Sequence, residues 1–204
     1  GMTATSMLTQ ALRRLGATVH FYLPHRFSDG YGLTRSVIPT LQQGQYDLLV
    51  TLDCGIKSMA LIEEGRKAGI DTIVCDHHLP DTVLPRAYEI LNPKQADCPY
   101  PYKELCGCGI AYKLISAYRL RYPAACPDVD RFLDLVATAI AADIVPITGE
   151  NRTLCVLGLA KANEHPSIPL QALRKINALE KEFTISDLVF IIAPRLNAAG
   201  RMDD

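Results

Sequence analysis

The sequence predicts an α/β fold: a mainly parallel sheet flanked by helices, with an α-rich C-terminal extension. Three observations carry that prediction. Residues 70–78 (IDTIVCDHH) are a short apolar strand that stops abruptly at Asp76, His77 and His78. Residues 46–53 (YDLLVTLD) repeat the design one unit earlier, an apolar strand delivering a single acid, Asp53. Between them, residues 57–69 (KSMALIEEGRKAG) place apolar side chains at helical spacing and close on Gly69. A strand–helix–strand unit runs its two strands parallel, so Asp53 and the Asp76–His78 cluster share one sheet edge. Open α/β sheets hold their ligands at that carboxyl edge.

The remaining elements follow in order. Residues 2–15 (MTATSMLTQALRRL) read as an amphipathic helix stopped by Gly16, and 17–23 (ATVHFYL) as a strand. His20, inside that apolar run, reads as a packed histidine and not a ligand. The 24–33 loop (PHRFSDGYGL) is rich in Gly, Pro and polar groups, the composition of an exposed functional loop. A short helix over 34–43 leads into the Asp53 strand. After His78 a Pro-rich stretch contains one more strand near 87–91. Helices are predicted over 109–121 and 128–141, the latter delivering Asp143 into Ile-Val-Pro. Two more, over 151–163 and near 168–179, complete the α-rich half. No internal repeat or low-complexity segment is visible. A fold of this kind opens with a strand, yet a helix comes at once, so a strand and its terminal loop are expected upstream of Gly1.

Composition narrows the class. With 204 residues, 49% hydrophobic and 21% charged, the chain can bury a sizeable core as one soluble domain or one with an appendage. No run is long enough to cross a bilayer, and residues 1–16 lack a basic-then-apolar secretory pattern. The formal net charge of −1 gives no general pull toward nucleic acid, so any such binding rests on local basic positions. Seven scattered cysteines fit a reduced, cytoplasmic protein. Cys106-Gly-Cys108 has no second pair, which argues against a structural zinc site.

Two imidazoles and a carboxylate in adjacent positions are poor core-builders and good ligands for a divalent metal. Asp53 strengthens that reading, because two successive strands would otherwise end in ligand-type residues by accident. Asp143 reads either as a further ligand or as a helix-end acid. Arg195 and Arg201 flank Asn197-Ala-Ala-Gly200; guanidinium forks match phosphate oxygens, and small residues permit close backbone approach. The alternative is a surface helix end with two solvated arginines. Arg26 and Tyr31 either contact substrate or hold the 24–33 loop in shape. Asn151 and Arg152 either contact phosphate or cap the following helix, Asn being a good N-cap.

Taken together, PHRFSDGYGL (24–33), TLDCGI (51–56), CDHH (75–78), CGCGIAYKL (106–114), ADIVPITGENR (142–152) and PRLNAAGRM (194–202) resemble the DHH phosphoesterase superfamily. Within it they resemble the RecJ group of single-strand-specific DNA exonucleases, and the first and last segments are the most specific to that group. The resemblance runs the full length. It implies a Rossmann-like DHH domain over 1–165, and a helical connector over 166–204 toward a second catalytic domain not present here. It makes Asp53 a bridging ligand of two Mn²⁺ or Mg²⁺ ions, His77 and Asp143 further ligands, and Asp76 the residue that orients the cluster. It places His78 on the scissile phosphate and Arg195, Asn197 and Arg201 on substrate phosphate. The implied activity is metal-dependent 5′–3′ hydrolysis of single-stranded DNA in repair and recombination. The rivals are a phosphatase or short-oligonucleotide nuclease of the same superfamily, and an inactive DNA-binding or replication scaffold. The aspartates of the family's first motif are absent from this sequence. The chain alone is therefore expected to be a weak or dead catalyst with its metal centre empty or singly occupied, and prone to self-association through an unpaired strand edge.

Overall fold

The computed structural model describes residues 1–24, 30, 32–125 and 128–199. Three parallel strands, β1 (Leu48–Leu52), β2 (Asp71–Cys75) and β3 (Glu89–Leu91), lie side by side in chain order. Register aligns Leu52 with Cys75 and Cys75 with Leu91. Two bonds carry the ladder one residue further: the Asp53 N–H donates to the Cys75 carbonyl at 2.8 Å, and the Asp76 N–H to the Leu91 carbonyl at 3.1 Å. The acids that end β1 and β2 therefore stand side by side on one edge.

Side chains alternate across the sheet with the strand period of two. Val50, Leu52, Ile73 and Cys75 face a large cluster built on α1 (Met2–Arg14), α4 (Gly107–Arg121), α5 (Leu133–Asp143) and α6 (Gly149–Glu164). Leu49 and Val74 face the other side, covered by α2 (Val37–Gln43) and α3 (Met59–Lys67). Helices on both faces of a parallel sheet confirm the predicted class. Each fully buried aliphatic side chain in these clusters contributes about 1.5–3 kcal/mol.

Helix α5 is buried from Leu133 to Ala141 and apolar there except for Asp134 and Thr138, as suits a helix in the middle of a molecule. One side meets α4 and the sheet layer; the other meets α6 and the C-terminal helices. A Cβ on Gly158 of α6 would overlap the Leu133 carbonyl and the Ala137 Cβ, so a larger residue there would push the two helices apart. The C-terminal layer consists of α7 (Ile168–Ile176) and a helical run made of α8 (Ile185–Asp187), a π turn at Leu188–Ile192, and α9 (Ala193–Ala199). Leu170, Phe183, Leu188 and Ile192 close on Ala137 and Ala141 of α5.

Two readings of the sequence need correction. Residues 17–23 form no strand. They make no ladder; the Arg13 guanidinium instead holds the Val19 carbonyl, at 2.7 Å from one of its nitrogens, and Phe21 is 60% exposed. A β-pattern becomes a strand only beside another strand, and among the described residues none pairs with it. His20 is exposed, with its ring against Tyr46. The helical run over 185–199 falls inside the helical connector expected over 166–204, although no individual element was assigned to it. Pro194 argues against a helix in sequence, since its ring clashes with the carbonyl four residues back. The wider π turn immediately before Pro194 accommodates it.

Candidate metal centre

The site begins where β1 ends. Asp53 adopts the left-handed conformation, φ +64°, which Asp tolerates better than most side chains. The N-terminus of α4 comes directly against it: a Cβ on Gly107 would collide with the Asp53 carboxylate, so only glycine allows this approach. The partial positive charge of a helix N-terminus favours an anion there. The terminal ammonium of Gly1 also donates to Asp53 Oδ2 at 2.6 Å.

β2 supplies the next three residues. Asp76 is buried with both oxygens engaged: Oδ2 accepts from the Ile56 N–H at 3.0 Å, and Oδ1 from the His77 N–H at 2.8 Å. The His78 Nδ1 lies 2.7 Å from the same Oδ1. Asp76 thus shapes the turn and holds the His78 ring.

The donor atoms of Asp53, His77 and His78 lie within 4.8 Å of one another. Helix α5 adds Asp143 from the opposite side, its Oδ2 3.1 Å from His77 Nε2, while Asp53 Oδ1 is 3.2 Å from the same nitrogen. These contacts are close but out of line for hydrogen bonding. Of six buried side-chain polar atoms without a hydrogen-bond partner among the described residues, three are Asp53 Oδ1 and the two ring nitrogens of His77. Buried polar atoms are nearly always paired. Here Asp53 Oδ1 and His77 Nε2 crowd a shared space with Asp143 instead of satisfying one another, at separations close to the roughly 3 Å between neighbouring ligands of an octahedral ion with bonds of about 2.1 Å. Carboxylates mixed with imidazole suit Mn²⁺ or Mg²⁺ better than a thiolate-seeking ion. The residues fit a divalent cation.

Charge reinforces this. Burial alone would push Asp53 upward, but the His77 ring and the Gly1 ammonium outweigh it and hold the carboxyl down at about 2. Burial would lower His77; Asp53, Asp143 and Asp76 reverse that and raise it. Asp143 is raised by burial and by the Asp53 charge beside it, which His77 only partly offsets. The pocket is anionic and collects positive charge. Beside it, Ile144, the residue after Asp143, is left-handed at φ +54° and 84% exposed. A β-branched residue in that conformation is strained, and strain gathers at functional sites. Gln45 and Ala178 share the conformation after helix ends, so it supports the assignment without making it.

A family profile, the DHH family, N-terminal domain, matches residues 1–140. The chain belongs to the DHH family. Over its full length it is similar to the single-stranded-DNA-specific exonuclease RecJ of Escherichia coli (strain K12), 40% identical over 216 residues, spanning 37% of that protein. It is 37% identical over 204 residues to RecJ of Bacillus subtilis (strain 168), spanning 25% of it. A crystal structure of exonuclease RecJ bound to manganese superposes with a TM-score of 0.87 at 34% identity, covering 98% of this chain and 50% of that one. RecJ from Thermus thermophilus in complex with Mn²⁺ gives a TM-score of 0.83 at 32% identity, over 98% of this chain and 28% of that one. The DHH chain described here thus spans half or less of the length of these proteins.

The other sequence-derived candidates are placed as follows. Arg195, on α9, donates to the Ile191 carbonyl at 2.8 Å. Asn197 lines a cleft of about 430 Å³ with Ala141, Ala142 and Ile144, the neighbours of Asp143. Arg152 is exposed on α6. Asn151 is not the helix cap: Thr148, in extended conformation, occupies that position, and Asn151 points inward from the first turn. Arg26, Tyr31 and Arg201 lie outside the described residues. Sequence reasoning missed Gly107, whose only signal is the glycine repeat in CGCG. It also missed the left-handed Ile144, which leaves no mark in sequence.

Proposed function

We propose that this chain is the metal-binding core of a phosphodiesterase that degrades single-stranded DNA from its 5′ end, in repair and recombination. One observation carries the reading: Asp53, His77 and Asp143 converge on one sheet edge with buried polar atoms left unpaired, beside a histidine whose ring is already oriented. The names of the similar proteins supply the substrate class and the choice of Mn²⁺ or Mg²⁺.

In this reading Asp53, His77 and Asp143 would hold the cation, and Asp53 is the residue that would serve a second ion as well. When bound, such an ion polarises a phosphoryl oxygen and lowers the pKa of coordinated water. Asp76 takes the Nδ1 edge of His78, which leaves the Nε2 edge for the scissile phosphate. Asp76 also fixes the backbone that carries both histidines. Asn197, on the cleft beside Asp143, together with Arg195 and Arg201, positions the substrate's phosphates; Arg26, Tyr31 and Arg152 are weaker candidates for the same task, whereas the burial of Asn151 removes it from contact with substrate. We take residues 1–165 as the catalytic unit and 166–204 as the connector. The six cysteines that the structure describes as free support a reducing, cytoplasmic setting. Among the described residues β1 pairs on one side only, with β2, and its outer edge invites self-association.

The test is Mn²⁺ titration by calorimetry on the intact protein and on Asp53→Ala, with activity compared on long single strands and on dinucleotides. Asp53-dependent binding and a preference for long strands are expected. A preference for dinucleotides would make it a short-oligonucleotide nuclease, and Mn²⁺ binding that ignores Asp53 would make it a scaffold.

A further inference from the structure

The first turn of α6 carries a residue whose structural bonds the chemistry above leaves unexplained. Asn151 is fully buried, and its amide nitrogen donates twice: to the Glu104 carbonyl at 2.6 Å and to the Pro146 carbonyl at 2.9 Å. Those carbonyls belong to two segments that reach the metal centre separately. Glu104 lies three residues before Gly107, whose backbone abuts the Asp53 carboxylate. Pro146 lies three residues after Asp143, which stands 3.1 Å from His77 Nε2.

We propose that Asn151 is a positioning residue for the metal centre. It ties the approach to α4, which packs on Asp53, to the loop that leaves Asp143, and so sets the spacing of the two carboxylates about His77. The proposal rests on the reading of Asp53, His77 and Asp143 as ligands.

Three features support a role beyond filling space. Asn151 Oδ1 is itself buried without a hydrogen-bond partner, so the amide is retained at a cost that only its two donated bonds offset. Ile144 holds its strained conformation between Asp143 and Pro146, and such strain persists only where the surroundings over-determine it. The neighbouring groups reinforce the same link. Tyr102 donates its hydroxyl to the Pro146 carbonyl at 3.2 Å. Glu150 pairs with Lys113 of α4 and accepts from the Tyr100 hydroxyl. The first turn of α6 is bonded at once to the segment that packs on Asp53 and to the segment that carries Asp143.

The experiment measures Mn²⁺ affinity by calorimetry, and the electron paramagnetic resonance spectrum of bound Mn²⁺, well below the melting temperature. It compares the intact protein with Asn151→Leu, Leu170→Ala and Asp53→Ala. Groups that orient metal ligands typically cost roughly 10–100-fold in affinity when lost, and Asn151→Leu is expected to fall in that range with an altered spectrum. Leu170→Ala, which opens the α7 cluster without touching the Glu104–Asn151–Pro146 link, should melt earlier while keeping wild-type affinity and spectrum. Wild-type affinity in Asn151→Leu, or equal weakening in Leu170→Ala, overturns the proposal while leaving the ligand reading intact. Binding that does not depend on Asp53 removes both. If Asn151→Leu does not fold, Tyr102→Phe reads the same loop: several-fold weaker binding is expected, and unchanged affinity overturns the proposal.

Discussion

The two ends of this molecule bury carboxylates in opposite ways. Away from the site, at the start of α5 and in the C-terminal helical layer that packs on it, they are paired. Asp134 is fully buried, and its Oδ2 accepts from the Ser167 N–H at 2.7 Å, its Oδ1 from the Leu135 N–H at 2.9 Å. Asp187 closes a capping box with Thr184, and the Asn163 side chain exchanges two bonds with the Phe183 backbone. Only the Ser167 hydroxyl is left over there among the described residues. At the sheet edge, Asp53 and Asp143 instead crowd a histidine whose ring nitrogens have no hydrogen-bond partner among the described residues. Paired buried acids hold a fold together; a cluster that leaves buried polar atoms unpaired fits a cation.

That contrast breaks most visibly at Asp53. Losing an outer-shell partner of a metal costs roughly 10–100-fold in affinity, so losing a direct ligand should cost on the order of 100-fold or more. Asp53→Ala is expected to lose Mn²⁺ binding and nuclease activity while the metal-free protein melts within a few degrees of wild type. A calorimetric titration beside a thermal melt checks both halves; unchanged affinity would dissolve the contrast. Asp134→Ala should behave in the opposite sense. Removing the acceptor of two buried backbone N–H groups costs about 2–3 kcal/mol of stability. Mn²⁺ affinity should not move, and a drop in it would show that the paired acids also serve the site.

How much of this was legible in the sequence depends on what each feature needs from its surroundings. The meeting of Asp53 and His77 followed from two short apolar strands ending in acids and one connecting helix, because parallel pairing is a local rule. The helix-end position of Asp143 was visible before Ile-Val-Pro, but its approach to His77 was implied only by the family resemblance. Residues 17–23 misled because a strand pattern states a preference, and the ladder depends on a neighbour. Helix was expected across the 166–204 connector, but the π turn that lets it run on through Pro194 leaves no mark in sequence. Asn151 looked like a helix cap by position; its real partners, Glu104 and Pro146, are supplied only by the tertiary fold.

The thiols around the sheet edge sharpen the comparison through pH. Burial pushes Cys75 and Cys108 from the ordinary 9.0 up to about 12, and Cys54 to about 11, with Asp76 adding to the shift at Cys75 and Cys54. Above pH 9 the unfolded chain releases these protons while the folded chain keeps them, so stability must fall as pH rises. The slope approaches about 1.4 kcal/mol per pH unit for each thiol. Between pH 9 and 10, Cys75→Ala should flatten the loss by about 1 kcal/mol, measured by chemical denaturation at each pH. An unchanged slope would mean that Cys75 ionises as freely folded as unfolded.

The smallest expected effect is at Thr184, where the helical run that carries Pro194, Arg195 and Asn197 begins. Its hydroxyl accepts from the Asp187 N–H at 3.3 Å and donates to Asp187 Oδ2 at 2.7 Å, while the Thr184 N–H donates to that same oxygen at 2.9 Å. Asp187 is held below the usual carboxylate range by these bonds. Thr184→Ala keeps the backbone bond and loses both hydroxyl contacts, so it should cost about 0.5–1 kcal/mol, near the lower end for helix caps. Because the cap acts at one end of a layer whose polar groups are satisfied, Mn²⁺ affinity should stay at the wild-type value. If activity on long single strands fell further than so small a loss of stability explains, the cap would be holding α9 in register for substrate. The helical layer would then be part of the site it packs against.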